Sequence, residues 1–258
     1  MPVIDNPKPH VIPEGDNATP LEVVGATASD KLIIIMVGLP GCGKTFVSKR
    51  ICRYISFFHD IPSQIFNVGD YRRELCGSQL PASFFDPNNE EALVGRRKAC
   101  EAATADLVKY MKQDGVRLGV YDATNNLREN RDKIVKRLAA ENIGAKTLFL
   151  EAIVDDKAML EENIRTVKLS TPDYKGVDPD QALQDFMKRR ENYAGGYSSV
   201  EDSEGSYVRV INYKKFEILN VRGYLPLKVS FALSCIAMCC DYKSRNSTWN
   251  VGTETILI

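Results

Sequence analysis

The feature that most constrains this chain is the glycine-rich segment Gly-Leu-Pro-Gly-Cys-Gly-Lys-Thr at residues 38–45. It matches the pattern G-x-x-x-x-G-K-T, whose small residues let backbone N–H groups close around phosphate oxygens. An uninterrupted apolar run at residues 31–37 precedes it, as in a strand buried on both faces, and apolar residues at near-helical spacing follow it. Because the motif requires strand, loop and helix in this order, we interpret it as a phosphate-binding loop rather than a chance match in a turn.

Two residues at the end of this loop have specific expected roles. Lys44 is expected to reach the β- and γ-phosphates of a nucleotide, and the Thr45 hydroxyl is expected to hold Mg²⁺. The N-terminus of the following helix adds positive potential at the same point. The loop therefore predicts binding of a nucleotide together with magnesium.

The composition indicates a globular protein with no general attraction to nucleic acid or to an anionic membrane. The chain has 258 residues, of which 44% are hydrophobic and 26% charged, and its formal net charge is zero. Basic residues that bind a ligand must therefore act locally, in a pocket. The longest apolar run, residues 229–240, is too short to span a bilayer. We expect neither a nucleic-acid partner nor a membrane partner.

The cysteines favour a reducing compartment. The seven cysteines show no regular spacing, and the two histidines lie far from any cysteine pair. Neither a disulfide framework nor a zinc site is predicted. The N-terminus lacks the basic and then apolar pattern of a secretory signal. Together these features predict a cytoplasmic location.

The sequence pattern divides the chain into three parts. Residues 1–30 are rich in proline and polar residues and are expected to form a flexible tail, residues 31–231 form one α/β domain, and residues 232–258 diverge from it as a second tail. The predicted strands cover residues 31–37, 63–69, 115–121 and 146–154, the predicted helices cover residues 90–112 and 128–141, and a hairpin is predicted over residues 207–221. This order predicts a mostly parallel central sheet with helices on both faces and a C-terminal edge hairpin.

Two groups of basic residues are candidates for binding an anionic substrate. Arg72 and Arg73 follow the second predicted strand, at the place where open α/β sheets bind ligands. Alternatively they form a solvated arginine pair. Arg96, Arg97 and Lys98 lie near the start of a predicted helix, where cations oppose the helix dipole. That conflict indicates an anionic partner, although a simple surface patch is the other interpretation.

Polar residues at two further places in the chain have either a functional or a structural role. Asp122 directly follows the third predicted strand, where an acid suits Mg²⁺ binding or the proton of an acceptor hydroxyl. Alternatively, Asp122 or Thr124 caps the helix that follows. Arg189 and Tyr193 are four residues apart on one helix face, where they either bind a phosphate ester or form a structural stack.

Several segments match one known family in the same order along the chain. They are residues 38–45, 67–74, 84–88, 122–125, 163–168, 170–174 and 185–189. Apart from the phosphate-binding loop, no single segment is distinctive, but together they are specific. Residues 31–231 resemble the kinase half of the 6-phosphofructo-2-kinase/fructose-2,6-bisphosphatase family.

The resemblance implies a P-loop kinase fold and transfer of a phosphoryl group from ATP to the 2-hydroxyl of D-fructose 6-phosphate, which gives fructose 2,6-bisphosphate. It implies ATP binding by Gly38, Leu39, Pro40, Gly41, Cys42, Gly43, Lys44, Thr45, Asn163, Arg165, Thr166, Val167 and Lys168. It implies fructose 6-phosphate binding by Arg72, Arg96, Thr124, Lys168, Arg189 and Tyr193. The implied catalytic residues are Asp122, Lys44 and Lys168, and the implied Mg²⁺ ligands are Thr45 and Asp122. It also implies a homodimer formed through the kinase domain.

The chain departs from the family pattern in three places. The family usually has an arginine that helps to hold the sugar phosphate where this chain has Asn130, and Arg128 or Arg131 is the expected substitute. Val154 stands where many relatives have a cysteine, so no role is assigned to it. The chain has no Arg-His-Gly motif of the kind that opens the family's phosphatase domain, so no phosphatase activity is expected.

Two alternatives remain beside the sugar-phosphate kinase. One is a P-loop kinase that acts on a different small acceptor. The other is a catalytically weak or inactive subunit that binds ATP and sugar phosphate for regulation, for which Asn130 and the divergent C-terminal segment are the support. The presence of Lys44, Thr45 and Asp122 favours an active enzyme.

Overall fold

One six-stranded sheet organises the fold in the computed structural model, which describes residues 30–213, 215–219, 221, 228–230 and 232–233. The strands are β1 (Lys31–Val37), β2 (Ser63–Asn67), β3 (Leu118–Asp122), β4 (Ala145–Ile153), β5 (Tyr207–Ile211) and β6 (Lys215–Leu219). Their order across the sheet is β2-β3-β1-β4-β5-β6, and only β6 runs antiparallel to its neighbour. The predicted tails, residues 1–30 and 232–258, lie almost entirely outside the described residues.

The strand β1 lies at the centre of the sheet because it has apolar side chains on both of its faces. Ile34 and Met36 point into one layer of the core, whereas Ile33 and Ile35 point into the other. Parallel pairing with β3 on one side and β4 on the other satisfies its backbone. The phosphate-binding loop therefore starts from a strand that is buried from Leu32 to Val37.

Helices cover both faces of the sheet, as predicted. They are α1 (Lys44–His59), α2 (Val68–Cys76), α3 (Glu90–Met111), α4 (Arg128–Ala140), α5 (Lys157–Asn163) and α6 (Pro179–Ala194). Ile51 and Ile55 of α1 pack on one face of the sheet, and Leu107 of α3 and Ile134 of α4 pack on the other. Within the described part of the chain, none of the helices is both long and apolar enough to span a bilayer.

The predicted boundaries are wrong after the second strand. The sequence pattern extends that strand to Gly69 and predicts no helix after it, but β2 ends at Asn67 and α2 begins at Val68. The physical reason is that Asn67 caps α2, because its side-chain oxygen accepts a hydrogen bond from the Gly69 amide at 2.8 Å. The ligand-binding edge of the sheet is therefore followed directly by a helix that carries Arg72.

The predicted C-terminal hairpin is confirmed for β5 and β6. Its turn contains Asn212 and Tyr213, which both have positive φ angles, of 49° and 55°. The Asn212 side-chain oxygen accepts hydrogen bonds from the Asp155 and Asp156 amides at 3.1 and 3.4 Å. This contact fixes the hairpin turn beside the start of α5, close to the phosphate-binding loop.

A buried ion pair joins α4 to the segment that precedes β5. The Arg131 side chain is fully buried, and its Nε donates to Glu204 at 2.6 Å. Its guanidinium also donates to the carbonyls of Asn125 and Ser198 at 3.1 and 2.9 Å. Arg131 therefore holds α4 in place, which contradicts the expectation that it replaces the missing sugar-phosphate arginine.

We predict that Arg131→Met destabilises the fold by about 3–5 kcal/mol, because it leaves the Glu204 carboxylate buried without its partner. The matched control is Arg128→Met, which removes an exposed ion pair with Glu201 and should cost less than about 1 kcal/mol. Urea unfolding of both variants checks the prediction. Equal losses in the two variants would contradict a structural role for Arg131.

Candidate active site

The loop between β1 and α1 needs glycine at defined positions. Gly38 and Gly43 have φ angles of 141° and 72°, which side chains rarely allow. A Cβ at Gly38 would lie 2.3 Å from the Ala152 carbonyl oxygen. Gly43 stands at the N-cap of α1, where it has no side chain with which to cap the helix. Amide groups at the first turn of α1 are thus left for an external acceptor such as phosphate.

Lys44 folds back over the loop that precedes it. Its Nζ donates to the carbonyls of Gly38 and Leu39 at 2.7 and 2.9 Å. Burial of the ammonium group lowers the pKa of Lys44 from its ordinary 10.5 to about 8. The Lys44 side chain is therefore a partly buried cation held by neutral carbonyls, and phosphate oxygens can neutralise its charge.

Asp122 lies beside the loop because β3 is the direct neighbour of β1. Thr45 Oγ1 donates to Asp122 Oδ2 at 2.6 Å, and Asn67 Nδ2 donates to the same oxygen at 2.8 Å. Burial raises the pKa of the Asp122 carboxyl, while the Thr45 hydrogen bond and the Lys44 charge oppose that rise. The N-cap position of α4 is Leu127, so the alternative that Asp122 or Thr124 caps this helix is wrong.

The Thr45 and Asp122 oxygens fit the requirements of a magnesium ion. Mg²⁺ in nucleotide sites is commonly bound by one or two protein oxygens together with phosphates and water. The hydroxyl and carboxylate oxygens lie 2.6 Å apart at the N-terminal end of α1. Asn67 was not predicted as a site residue, although it stands opposite Asp122 in the β2–β3 register and orients the carboxylate.

A cavity of about 670 Å³ opens between α3, α4 and α6, next to the end of β3. Five predicted sugar-phosphate residues border it, namely Arg72, Arg96, Thr124, Arg189 and Tyr193. They come from separate helices and from the loop after β3, so their convergence is a product of the fold. Lys168 is not among the residues that border the cavity.

Asp173 holds the arginines at one side of this cavity. Arg72 Nη2 donates to both of its carboxylate oxygens at 2.9 and 2.8 Å, Arg73 donates at 3.2 Å, and Arg189 lies 3.5 Å away. Burial opposes ionisation of Asp173, but the hydrogen bonds from Arg72 and the nearby charges hold its pKa below the usual value. One carboxylate therefore serves three cations and leaves an excess of positive charge.

Phe85 and Arg96 complete the same side of the cavity. The Arg189 guanidinium lies 3.5 Å from the centre of the Phe85 ring, and Tyr193 lies 6.2 Å from it, ring to ring. Arg96 donates to the Phe85 and Asp86 carbonyls at 3.2 and 3.0 Å. In the described part of the chain, the buried Nε atoms of Arg96 and Arg189 have no hydrogen-bond partner.

Lys168 interacts electrostatically with both parts of the site, with Asp122 beside the loop and with Arg189 at the cavity. Burial lowers its pKa, the Asp122 carboxylate opposes that change, and the Arg189 charge adds to it. The group is thus within electrostatic reach of both halves of the site. It ends a π-helical turn, Ile164–Lys168, which follows α5 directly.

Of the remaining residues predicted to bind ATP, one contacts the phosphate-binding loop and three have exposed side chains. The Asn163 amide nitrogen donates to the Gly41 carbonyl at 3.4 Å, so it contacts the loop. The side chains of Arg165, Thr166 and Val167 are exposed, and Arg165 is occupied by ion pairs with acidic residues. The structure therefore does not bring these three side chains to the phosphate-binding loop.

Arg190 braces the loop and was missed in the sequence pattern. Its guanidinium donates to the Pro40 carbonyl, and it also contacts Cys42 Sγ at 3.3 Å and the Val154 carbonyl at 3.4 Å. The only signal available in the sequence was its place beside Arg189. It links α6, which carries three cavity residues, to the backbone of the phosphate-binding loop.

Asn130 borders the cavity, but the two predicted substitutes for its missing charge do not. Arg131 is fully buried against Glu204. Arg128 pairs with Glu201 and donates to the Ser203 hydroxyl at 3.0 Å. The expectation that Arg128 or Arg131 takes over at this position is therefore contradicted.

Comparison with known proteins agrees with the family resemblance of the sequence. Residues 22–238 match the family model described as 6-phosphofructo-2-kinase. A Gallus gallus protein named 6-phosphofructo-2-kinase/fructose-2,6-bisphosphatase is 40% identical over 205 residues, which cover 78% of this chain and 43% of the relative. The Homo sapiens protein of that name numbered 3 is 37% identical over 206 residues, which cover 78% of this chain and 39% of the relative.

This chain thus spans less than half the length of these curated relatives. A crystal structure of Chaetomium thermophilum Kti12 in complex with ADP-AlF3 aligns with a TM-score of 0.52 and 13% identity, covering 79% of this chain and 96% of that one. That likeness concerns the fold alone and agrees with the predicted P-loop kinase fold. The family match, which covers most of the chain, shows that it belongs to the 6-phosphofructo-2-kinase family.

Proposed function

We propose that this chain transfers the γ-phosphoryl group of ATP to the 2-hydroxyl of D-fructose 6-phosphate, with ADP and fructose 2,6-bisphosphate as products. The observation that carries the proposal is the position of Asp122, which contacts Thr45 of the phosphate-binding loop and ends the strand that leads into the arginine-lined cavity. Membership of the 6-phosphofructo-2-kinase family supports the same reaction. Residues 31–231 are the proposed catalytic unit.

ATP is proposed to bind with its phosphates on the loop at residues 38–45. Lys44 would leave the Gly38 and Leu39 carbonyls to contact the β- and γ-phosphates, and the amides at the start of α1 would donate to phosphate oxygens. Thr45 and Asp122 would hold Mg²⁺, which neutralises phosphate charge when bound. Asn163 would keep the loop in place through its contact with Gly41.

Fructose 6-phosphate is proposed to lie in the cavity with its phosphate among the arginines. A phosphate dianion suits several guanidinium groups from separate elements, because each group offers a planar pair of donors. Asp173 holds Arg72 and Arg189 in position, and Phe85 supports Arg189 from one side.

Transfer itself requires mainly positioning and charge neutralisation, since the transition state is loose. Asp122 would orient the metal ion or accept a hydrogen bond from the attacking hydroxyl. Lys168 would bridge the two substrates, because its charge interacts with Asp122 on one side and with Arg189 on the other. The contact between Thr45 and Asp122, together with the charge of Lys44 that acts on Asp122, supports turnover rather than binding alone.

The direct test is incubation of the purified chain with Mg-ATP and fructose 6-phosphate, followed by an assay for acid-labile fructose 2,6-bisphosphate. We expect product with the unmodified chain and a loss of at least about a hundredfold in Lys44→Met, because a charge on the transferring phosphoryl group goes unneutralised. Lys49→Met, an exposed lysine on the same helix, is the matched control. Transfer that survives in Lys44→Met would show that the loop is misassigned, and no product at all would favour the inactive-subunit alternative.

We predict that kcat/KM for ATP falls as the pH rises through about 8. The free enzyme has Lys44 with a pKa lowered to about 8 by burial, so the cation is lost above that pH. Bound phosphate stabilises the charged form, so kcat should fall only at higher pH. Steady-state rates from pH 6.5 to 10, with ATP varied at saturating sugar phosphate, give the pH profiles of kcat and of kcat/KM. A kcat/KM profile that stays flat up to pH 10 would contradict the proposed role of Lys44.

We predict that Arg189→Ala raises the KM for fructose 6-phosphate by roughly tenfold or more while it changes the KM for ATP by less than about twofold, as expected for loss of a charged hydrogen bond to one substrate only. Lys188→Ala is the matched control, since Lys188 is the exposed neighbour on α6. Initial-rate measurements with each substrate varied in turn distinguish the two constants. Equal changes in both KM values would argue against a sugar-site role for Arg189.

A further inference from the structure

The cavity is bordered by more cations than the arginines that Asp173 holds. Six cations and two carboxylates border it. Arg72 and Arg189 are held by Asp173, and Arg96 is held by backbone carbonyls. The other charged groups, further along α3 and α4, are Arg97, Glu101, Glu129, Lys133 and Arg137. The cavity as a whole therefore favours an anion, and part of its charge comes from α4.

One face of α4 borders the cavity. Asn130, Lys133, Ile134 and Arg137 lie at positions i, i+3, i+4 and i+7, which share one side of a helix. Ile134 is buried against the sheet and fixes the rotation of the helix. Asn130 offers hydrogen bonds but no charge, and Lys133 follows it by one turn.

Among the basic residues of α4, Lys133 is the one that borders the cavity without an ion pair to any residue that the structure describes. Arg128 and Arg131 are paired with glutamates outside it, and Arg137 has its Nε 3.3 Å from Glu141. Lys136 does not border the cavity. Lys133 borders it and, within the part of the chain that the structure describes, makes no ion pair at all. Its nearest acidic neighbour along the helix face is Glu129, four residues earlier.

We infer that Lys133 is the sugar-phosphate cation that α4 contributes, one helical turn after the uncharged Asn130; this rests on the proposed function. A lysine ammonium is a compact charge on a flexible four-carbon stem, so it can reach a phosphate from a position one turn away. It cannot reproduce the paired donors of a guanidinium, which makes the contact electrostatic rather than geometrically fixed.

The test compares Lys133→Gln with Lys136→Gln, a change of the same kind on the same helix at a residue outside the cavity. Calorimetric titration with fructose 6-phosphate, and separately with Mg-ATP, measures both affinities. We expect Lys133→Gln to weaken fructose 6-phosphate about tenfold with Mg-ATP unchanged, in line with a charged contact to phosphate. Lys136→Gln should bind both ligands as the unmodified chain does.

A second variant separates charge from structure. Asn130→Arg placed in the Lys133→Gln background returns a cation to the same helix face and should restore most of the lost affinity. The difference between Lys133→Gln and the unmodified chain should also shrink as salt rises from about 50 to 500 mM, because partly exposed charges are screened.

The outcomes distinguish this inference from the proposed function. If the unmodified chain binds fructose 6-phosphate and Lys133→Gln behaves like Lys136→Gln, the Lys133 assignment is wrong while the proposed function stands. If Lys133→Gln weakens both ligands equally, or if Asn130→Arg restores nothing, Lys133 acts on the structure and the inference also fails. If the unmodified chain does not bind fructose 6-phosphate, the proposed function fails and takes the inference with it.

Discussion

The hydrogen bond between Thr45 and Asp122 is the contact on which the rest of the site depends. It forms because β1 and β3 are parallel neighbours, so that the loop after one and the acid that ends the other meet at the same edge of the sheet. That neighbourhood in turn requires β1 to be apolar on both faces, since helices cover it from both sides. A buried carboxylate in this position is costly, and Thr45, Asn67 and the Lys44 charge offset the cost. The position of the central strand β1 thus determines which side chains meet at the site.

A second constraint is the shared use of one carboxylate by several arginines. Asp173 holds Arg72, Arg73 and Arg189 near one another, which like charges would otherwise resist. The group stays net positive, so an incoming dianion meets guanidinium groups that are already oriented and need little reorganisation. The buried pair of Arg131 and Glu204 performs a related task for α4, because it fixes the helix whose other face borders the cavity. Charge pairing therefore places the cations in this protein, and where several arginines share one carboxylate, the excess positive charge is available for a ligand.

Local sequence signals were sufficient for the phosphate-binding loop, the strands and helices beside it, and Asp122, because each has a pattern within a few residues. Residues that act through distant partners could not be found in this way. Asn67 lies 55 residues from Asp122, and Asp173 lies 101 residues from Arg72. Arg131 was expected at the sugar phosphate, but its partner Glu204 is 73 residues away and removes it from the cavity. Asp122 looked capable of capping α4, whereas Leu127 holds that position. The phosphate-binding motif predicted the type of reaction. Ion pairs between residues distant in the sequence determine which charged side chains lie at the site.

The central claim is that the phosphate-binding loop and the arginine-lined cavity are two halves of one site that meet at Asp122. The most direct measurement is a crystal structure of the chain with Mg²⁺, a non-hydrolysable ATP analogue and fructose 6-phosphate bound together. We predict that the sugar phosphate lies among Arg72, Arg96 and Arg189, with its 2-hydroxyl facing the γ-phosphate beside Asp122. A sugar bound elsewhere, or with its 2-hydroxyl turned away from the nucleotide, would contradict the account.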